Sequence, residues 1–279
     1  MQLNEDVPRA RQDNGPPPSP PPPAEPGLAD DLVMSLRFFS RLPTGDRPFT
    51  VPDLNRMAMS LPFASIVLGL GPALLMMLCA WATLPGYFAA AIGVAAMLVA
   101  TGAMADDALA DSADGLFGGA SVERRLEIMK DSRHGTYGVA AIGLYLLLRV
   151  TAIGAVAAYN PLAAAGIWLA ATVVGRSGSL WLSYALPPAR TGGASASAGR
   201  VGRVSLAIGA AFAVLLALVL AAPFTSLVAV LLALVAAGLV ALGWEWSCRK
   251  LVGGQTGDLI GALGALIEVT VLAVLLVFA

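Results

Sequence analysis

The chain has 279 residues, 57% of them hydrophobic and only 13% charged, with 17 Lys and Arg against 18 Asp and Glu. That composition excludes an ordinary soluble globular domain. The near-zero net charge says nothing about partners because the charges are segregated along the chain, and two unrelated cysteines, Cys79 and Cys248, make neither a disulfide framework nor a metal motif.

Residues 1–27 carry acids and a proline run (Pro16–Pro18, Pro20–Pro23) without the apolar core of a cleavable signal. They are expected to form a disordered or polyproline-like tail outside the packed protein. In residues 28–59, Leu32, Leu36 and Phe39 share one helical face while Asp30, Arg37 and Arg41 lie largely elsewhere. This pattern predicts an amphipathic helix at a membrane surface, ended by Pro43. Seven apolar stretches follow, roughly 60–82, 86–104, 137–158, 161–186, 204–222, 224–243 and 258–279. Each is near the ~20 residues that a bilayer-spanning helix needs. The expected architecture is therefore all-α: residues 28–279 form a single integral-membrane domain of about seven transmembrane helices plus the interfacial helix.

The basic residues set the expected topology. Six Lys and Arg precede the first span, four lie in 105–136, three in 187–203 and two in 244–257. The connections near 83–85, 159–160 and 223 carry none. By the positive-inside rule the N-terminus and the three charged loops are expected to face the cytoplasm, with the C-terminus on the far side.

The second connection is the chemically dense one. Between Met104 and Gly138 lie seven of the eighteen acids and the single histidine. Asp107, Asp111 and Asp114 are spaced i, i+4, i+7, which puts three carboxylates on one helical face. Taken alone, that triplet reads as a solvated helix end. Its neighbours change the reading: Gly115, Gly118 and Gly119 are expected to end the helix, and a second helix starts near Ser121, a good N-cap. On that helix Glu123, Glu127 and Asp131 recur every four residues among Arg124, Arg125, Lys130 and Arg133. Carboxylates in this number suit a hard cation such as Mg²⁺, bound together with substrate phosphates. His134 is read as incidental, because nothing nearby completes a histidine-based arrangement.

A second signal is GGQTGD, Gly253 to Asp258, at the start of the last stretch. Glycines followed by Thr256 and a helix start offer backbone N–H groups to an anion, and Asp258 suits the first turn on dipole grounds. Arg149, Arg176 and Glu268 fall inside apolar stretches, where a charge faces the bundle interior or a polar cavity. Each arginine serves either a polyanionic substrate or a buried carboxylate.

These residues resemble a known family. LADSADGL (Leu109–Leu116) followed by ERRLEIMKDSRHGTYG (Glu123–Gly138) is similar to the central motif of the cobalamin synthase (adenosylcobinamide-GDP ribazoletransferase) family. RFFSRLP (Arg37–Pro43) resembles its N-terminal signature, and GGQTGD with Gly261, Ala262 and Glu268 its C-terminal one. The chain departs at Ala105, Asp106, Asp107 and Ala108, where the family pattern reads His-Glu-Asp-Gly, and at His134, where the family usually has an apolar residue. Ala265 also stands where a polar residue is common.

The resemblance implies an Mg²⁺-dependent transferase of late cobalamin biosynthesis. α-Ribazole or its 5′-phosphate attacks the cobinamide-linked phosphorus of adenosylcobinamide-GDP, and GMP leaves. On that reading Asp107, Asp111, Asp114 and Asp131 hold the metal, while Asp258 and Asp131 are catalytic. Arg125, Lys130, Arg133, Arg176, Gly253, Gly254 and Thr256 bind substrate. The lipid bilayer is the other expected partner, nucleic acid is not one, and self-association is left open. Two rivals remain: another membrane phosphotransferase or prenyltransferase with an aspartate-rich site, and a transporter using Arg149, Arg176 and Glu268. The CDP-alcohol phosphotransferase pattern fails, because Asp114-Gly115 is not followed two residues later by Ala-Arg.

Overall fold

The computed structural model describes residues 27–45, 51–190 and 198–279. The proline-rich tail falls outside them save for Gly27. Among the described residues the regular secondary structure is all helical, apart from one isolated bridge between Pro188 and Gln255. In chain order the helices are α1 (Leu28–Phe39), α2 (Leu54–Trp81), α3 (Gly86–Thr101), α4 (Met104–Gly118), α5 (Val122–Ile128), α6 (Thr136–Ala157), α7 (Pro161–Ala185), α8 (Arg203–Ala221), α9 (Leu227–Leu251) and α10 (Gly257–Leu276).

Helix α7 is the hub. It packs against α2, α6, α8, α9 and α10, and Trp168, Ile167, Leu180 and Leu182 are fully buried along it. Its small residues allow that crowding: a Cβ on Gly175 would run into the Gly264 carbonyl of α10. The same residues, with Arg176 and several serines, keep α7 out of the set of helices apolar enough to cross a membrane by composition. That set is α2, α6, α8, α9 and α10, and the α3–α4 pair adds a sixth crossing if counted as one broken span. By length and composition alone, five or six of the described helices therefore qualify as spans, against the seven expected. A helix surrounded by protein need not carry the uniform hydrophobicity of one facing lipid.

The break between α3 and α4 turns the chain by 86°. Gly102 (φ 64°) and Ala103 (φ 55°) both sit in the left-handed region, which suits glycine but costs an alanine about 1 kcal/mol. Arg41 packs over Gly102, and its backbone N–H donates to the Ala100 carbonyl at 2.8 Å, so the α1 exit braces the turn. Helix α1 itself packs on α2, where the Arg56 guanidinium pairs with the buried carboxylate of Asp31.

Several boundaries differ from the hydropathy reading. Helix α2 begins earlier, at Leu54, because Asp53 caps it by accepting from the N–H groups of Asn55 and Arg56. Helix α9 runs on to Leu251, its last turns held by an Arg249–Glu245 pair at 2.6 Å. Helix α4 passes through Gly115, where Met129 packs against the missing side chain, and stops at Gly118. Helix α5 ends at Ile128, so Asp131 lies beyond it and does not continue the face of Glu123 and Glu127.

The connections gather at two ends of the bundle. At one, Gly86 packs on Gly154 and Ala158, and Phe224 packs on Gly166. At the other, Arg125 Nη1 donates to the Leu251 carbonyl at 3.0 Å, joining the α5 region to the end of α9. The Pro188–Gln255 bridge joins the α7 exit to the GGQTGD loop through two backbone hydrogen bonds of 2.8 and 2.9 Å. Asn55 accepts from the Gly202 N–H there as well. All the motifs singled out in the loops share this second end.

Candidate active site

Helix α4 presents Asp107 and Asp111 one turn apart at this end. The His134 imidazole stands between them, Nε2 lying 3.5 Å from Asp107 Oδ1 and Nδ1 3.5 Å from Asp111 Oδ1. One atom from each of the three residues fits within a 4.8 Å spread, a geometry able to hold a metal ion. Asp111 is partly shielded while Asp107 is largely open. His134, read from the sequence as incidental because nothing nearby completes a histidine-based arrangement, thus stands within the acidic cluster; it lies in an irregular loop, where no periodicity ties it to the acids. Its only signal was the short distance in sequence to an acidic face.

Asp114 has a different job. Its two carboxylate oxygens accept from the N–H groups of Gly135 at 2.6 Å and Gly138 at 2.9 Å, capping the start of α6. A Cβ at either glycine would collide with that carboxylate. The cap fixes the Arg133–Gly135 loop against α4 and thereby sets His134 between the other two aspartates. Asp131, exposed on the same loop, is engaged by Arg133 through contacts of 3.1 and 2.8 Å. That partner, by hydrogen bonding to the charged form, lowers its pKa to about 2. Neither Asp114 nor Asp131 belongs to the three-residue cluster.

The GGQTGD loop closes the other side. Gly253 takes φ 77°, and Thr256 caps α10 by accepting from the Leu259 N–H at 3.2 Å. Gly254 packs tightly on Pro187 and Ala189. Asp258, in the first turn, is within electrostatic reach of Asp107 and Asp111. Arg190, at the α7 exit, places Nη2 3.5 Å from Asp258 Oδ2. Thus the acids of α4, the acid of α10 and a cation from the α7 exit converge. Of the other expected substrate contacts, Arg125 is turned toward the end of α9, and Lys130 makes no ion pair among the described residues.

Deeper in the bundle a second charged group surrounds a cavity of about 60 Å³. Arg149 Nε lies 3.2 Å from Glu268 Oε1 and its Nη1 3.9 Å from Asp106 Oδ1, close enough for attraction though without hydrogen-bond geometry. Glu268 accepts from the Tyr145 hydroxyl at 2.9 Å and Trp168 Nε1 at 3.2 Å. The Arg149 guanidinium also sits 4.8 Å above the Tyr145 ring. Arg176, expected among the substrate contacts, lines this cavity instead, its Nη2 3.6 Å from Met97 Sδ. Ala105 and Ala265 line it too.

Residues 31–277 match the family model described as Cobalamin-5-phosphate synthase. The chain is 40% identical over 253 residues to the adenosylcobinamide-GDP ribazoletransferase of Azorhizobium caulinodans, covering 89% of this chain and 96% of the relative. It is 41% identical over 262 residues to that of Xanthobacter autotrophicus, covering 90% and 97%. The enzyme of the same name from Rhizobium meliloti is 41% identical over 257 residues, covering 89% and 96%. No solved structure matches the chain.

Proposed function

Since the chain belongs to the cobalamin-5-phosphate synthase family, we propose that this multi-pass membrane enzyme joins α-ribazole, or its 5′-phosphate, to adenosylcobinamide-GDP and releases GMP. A ribose hydroxyl attacks the cobinamide-linked phosphorus, the phosphoanhydride bond to GMP breaks, and the hydroxyl proton is lost. The single observation that carries this reading is the convergence of Asp107, Asp111 and His134 opposite Asp258 and Arg190. We place that end of the bundle at the cytoplasmic face of the bacterial inner membrane, in keeping with the distribution of Lys and Arg along the chain.

The donor set fits a divalent cation. Two carboxylates match the oxygen preference of Mg²⁺, and the imidazole is the less suited partner. Asp107 and Asp111 are the residues that would hold Mg²⁺, with His134 keeping them in register. Bound there, Mg²⁺ would offset negative charge on the diphosphate and on the leaving GMP.

The rest falls to the chain itself. Lys130 and Arg133 stand beside the acids as cations for the remaining phosphate charge. Gly253, Gly254 and Thr256 border the incoming nucleoside. Asp258 orients the attacking hydroxyl and accepts its proton, and Arg190 holds the Asp258 carboxylate in place. Asp114 contributes by fixing the loop that carries His134, and Asp131 by holding Arg133. The test is direct: purified protein is given adenosylcobinamide-GDP and α-ribazole, with and without Mg²⁺, and GMP is measured. Mg²⁺-dependent GMP release is expected. Its absence from folded protein, together with solute uptake into sealed vesicles, would replace the enzyme with a transporter.

A further inference from the structure

Helices α8 and α9 form a hairpin whose arms barely touch one another, each leaning instead on α7 or α10. Between them opens a cavity of about 610 Å³ with almost wholly apolar walls. Small residues, among them Ala210, Ala213, Ala237 and Gly238, keep it clear, and Val174 and Ile267 form its floor. Its lining reaches the active-site end, where Arg203 opens α8 and Trp181 and Tyr184 close α7. Arg203 has no ion pair or hydrogen bond among the described residues. Arg200 adds a second positive charge nearby, its Nη2 donating to the Tyr184 carbonyl at 2.7 Å. Glu245 does not neutralise them, being held by Trp181 Nε1 at 2.9 Å and by Arg249. Part of the wall is polar and unanswered: the buried Ser177 hydroxyl has no partner.

Length decides what fits. From Arg203 to Val214, the lining of α8 descends about 16 Å at 1.5 Å per residue. That is about half the ~30 Å hydrocarbon core of a bilayer. A second copy's transmembrane helix needs the full thickness, whereas one acyl chain of a single leaflet needs only half. Arginine with Trp and Tyr at the mouth is also the arrangement found at the headgroup level. We propose that this groove is a phospholipid site, with one acyl chain between α8 and α9 and its phosphodiester on Arg203. The site adjoins the α7–α8 connection that carries Arg190, so an occupied groove would brace one wall of the catalytic end.

The probe is phosphatidylglycerol added to delipidated protein and counted by native mass spectrometry. One retained lipid is expected, bound roughly tenfold more weakly after Arg203→Glu removes the favourable charge and adds a repulsive one. Gly238→Leu, which projects into the groove, should abolish retention, while Val219→Leu on the outer surface of α8 should not. Unchanged retention in both groove variants would overturn the proposal. So would conversion of an oligomer to a monomer by those variants without change in lipid binding, since the groove would then hold a second copy. Photoreactive phosphatidylglycerol on the unaltered chain keeps the test independent of variant folding. Labels should concentrate in 206–214 and 234–242, and an even spread over the helices would refute the site.

Discussion

Asp106 and Asp107 are neighbours in the chain, yet they serve two regions that treat charge in opposite ways. Asp106 points inward to a group in which two arginines, two carboxylates, a tyrosine and a tryptophan largely answer one another. Asp107 points to the loop end, where with Asp111 it faces the His134 imidazole and feels further negative charge from Asp258, itself beside Arg190. The first region balances two positive charges against two negative ones and is deeply buried, though Asp106 Oδ1, Arg149 Nε and Arg176 Nη1 have no hydrogen-bond partner. The second carries an excess of carboxylates near one another, a state that a cation and a phosphate-bearing substrate would relieve. Balanced charge inside the bundle points to architecture, and the surplus of carboxylates at the loop end points to chemistry.

The sharpest way to break that comparison is at Asp111. Asp111→Asn preserves shape but removes the charge on which cation binding rests, and turnover is expected to fall roughly a thousandfold, a loss typical of removing a key electrostatic contact. Thermal unfolding and membrane insertion should be unchanged. Near-normal turnover at limiting Mg²⁺ would make the cluster a solvated helix end.

Glu268→Ala should show the reverse pattern. It strips Arg149 of its closest carboxylate within the bundle, which costs about 3–5 kcal/mol when a buried pair is broken. The thermal midpoint in detergent should drop sharply, while activity per folded molecule falls far less. Loss of activity with no loss of stability would move this group into the catalytic machinery.

Asp258→Asn tests the second side of the site. Loss of a general base lowers kcat by roughly a hundredfold or more. The KM for adenosylcobinamide-GDP should hardly move, and equal losses in both would mean that Asp258 binds the GDP-linked substrate instead. The smallest effect belongs to Asp131→Asn. Arg133 keeps the Asp131 pKa near 2, so the carboxylate stays ionised until pH falls far below the ordinary carboxylate range. A depressed pKa adds stability above the unfolded value and loses it only as pH falls through about 2. The shape of the pH–rate profile at neutral pH should therefore be the same in parent and variant, and a shifted limb would give Asp131 a direct part in proton transfer.

Much of this molecule was legible in its residues before any coordinates. Apolar runs near bilayer length announced a helical membrane protein, because a backbone in hydrocarbon must satisfy its own hydrogen bonds. The i, i+4 spacing of Asp107 and Asp111 announced a shared face, because helical periodicity is local. Ser121 and Thr256 announced helix starts for the same reason, and both are N-caps accepting from the N–H three residues on. Family membership was legible too, because motifs such as ERRLEIMKDSRHGTYG and GGQTGD are strings of residues.

What the sequence could not settle depended on groups far apart in the chain. Asp114 continues the face of Asp107 and Asp111 by spacing alone, but the Gly135 and Gly138 amides occupy its oxygens. His134 lacks any periodic relation to the aspartates and meets them only because that cap seats its loop. Arg176 looked available to a substrate and lies instead by Met97 and the Glu268 group. Helix α7 matches a span in length, but its small and polar residues answer to five neighbouring helices. Local periodicity determines which face a side chain occupies; only the packing of distant segments determines which partners reach that face first, and so which carboxylates remain free for chemistry.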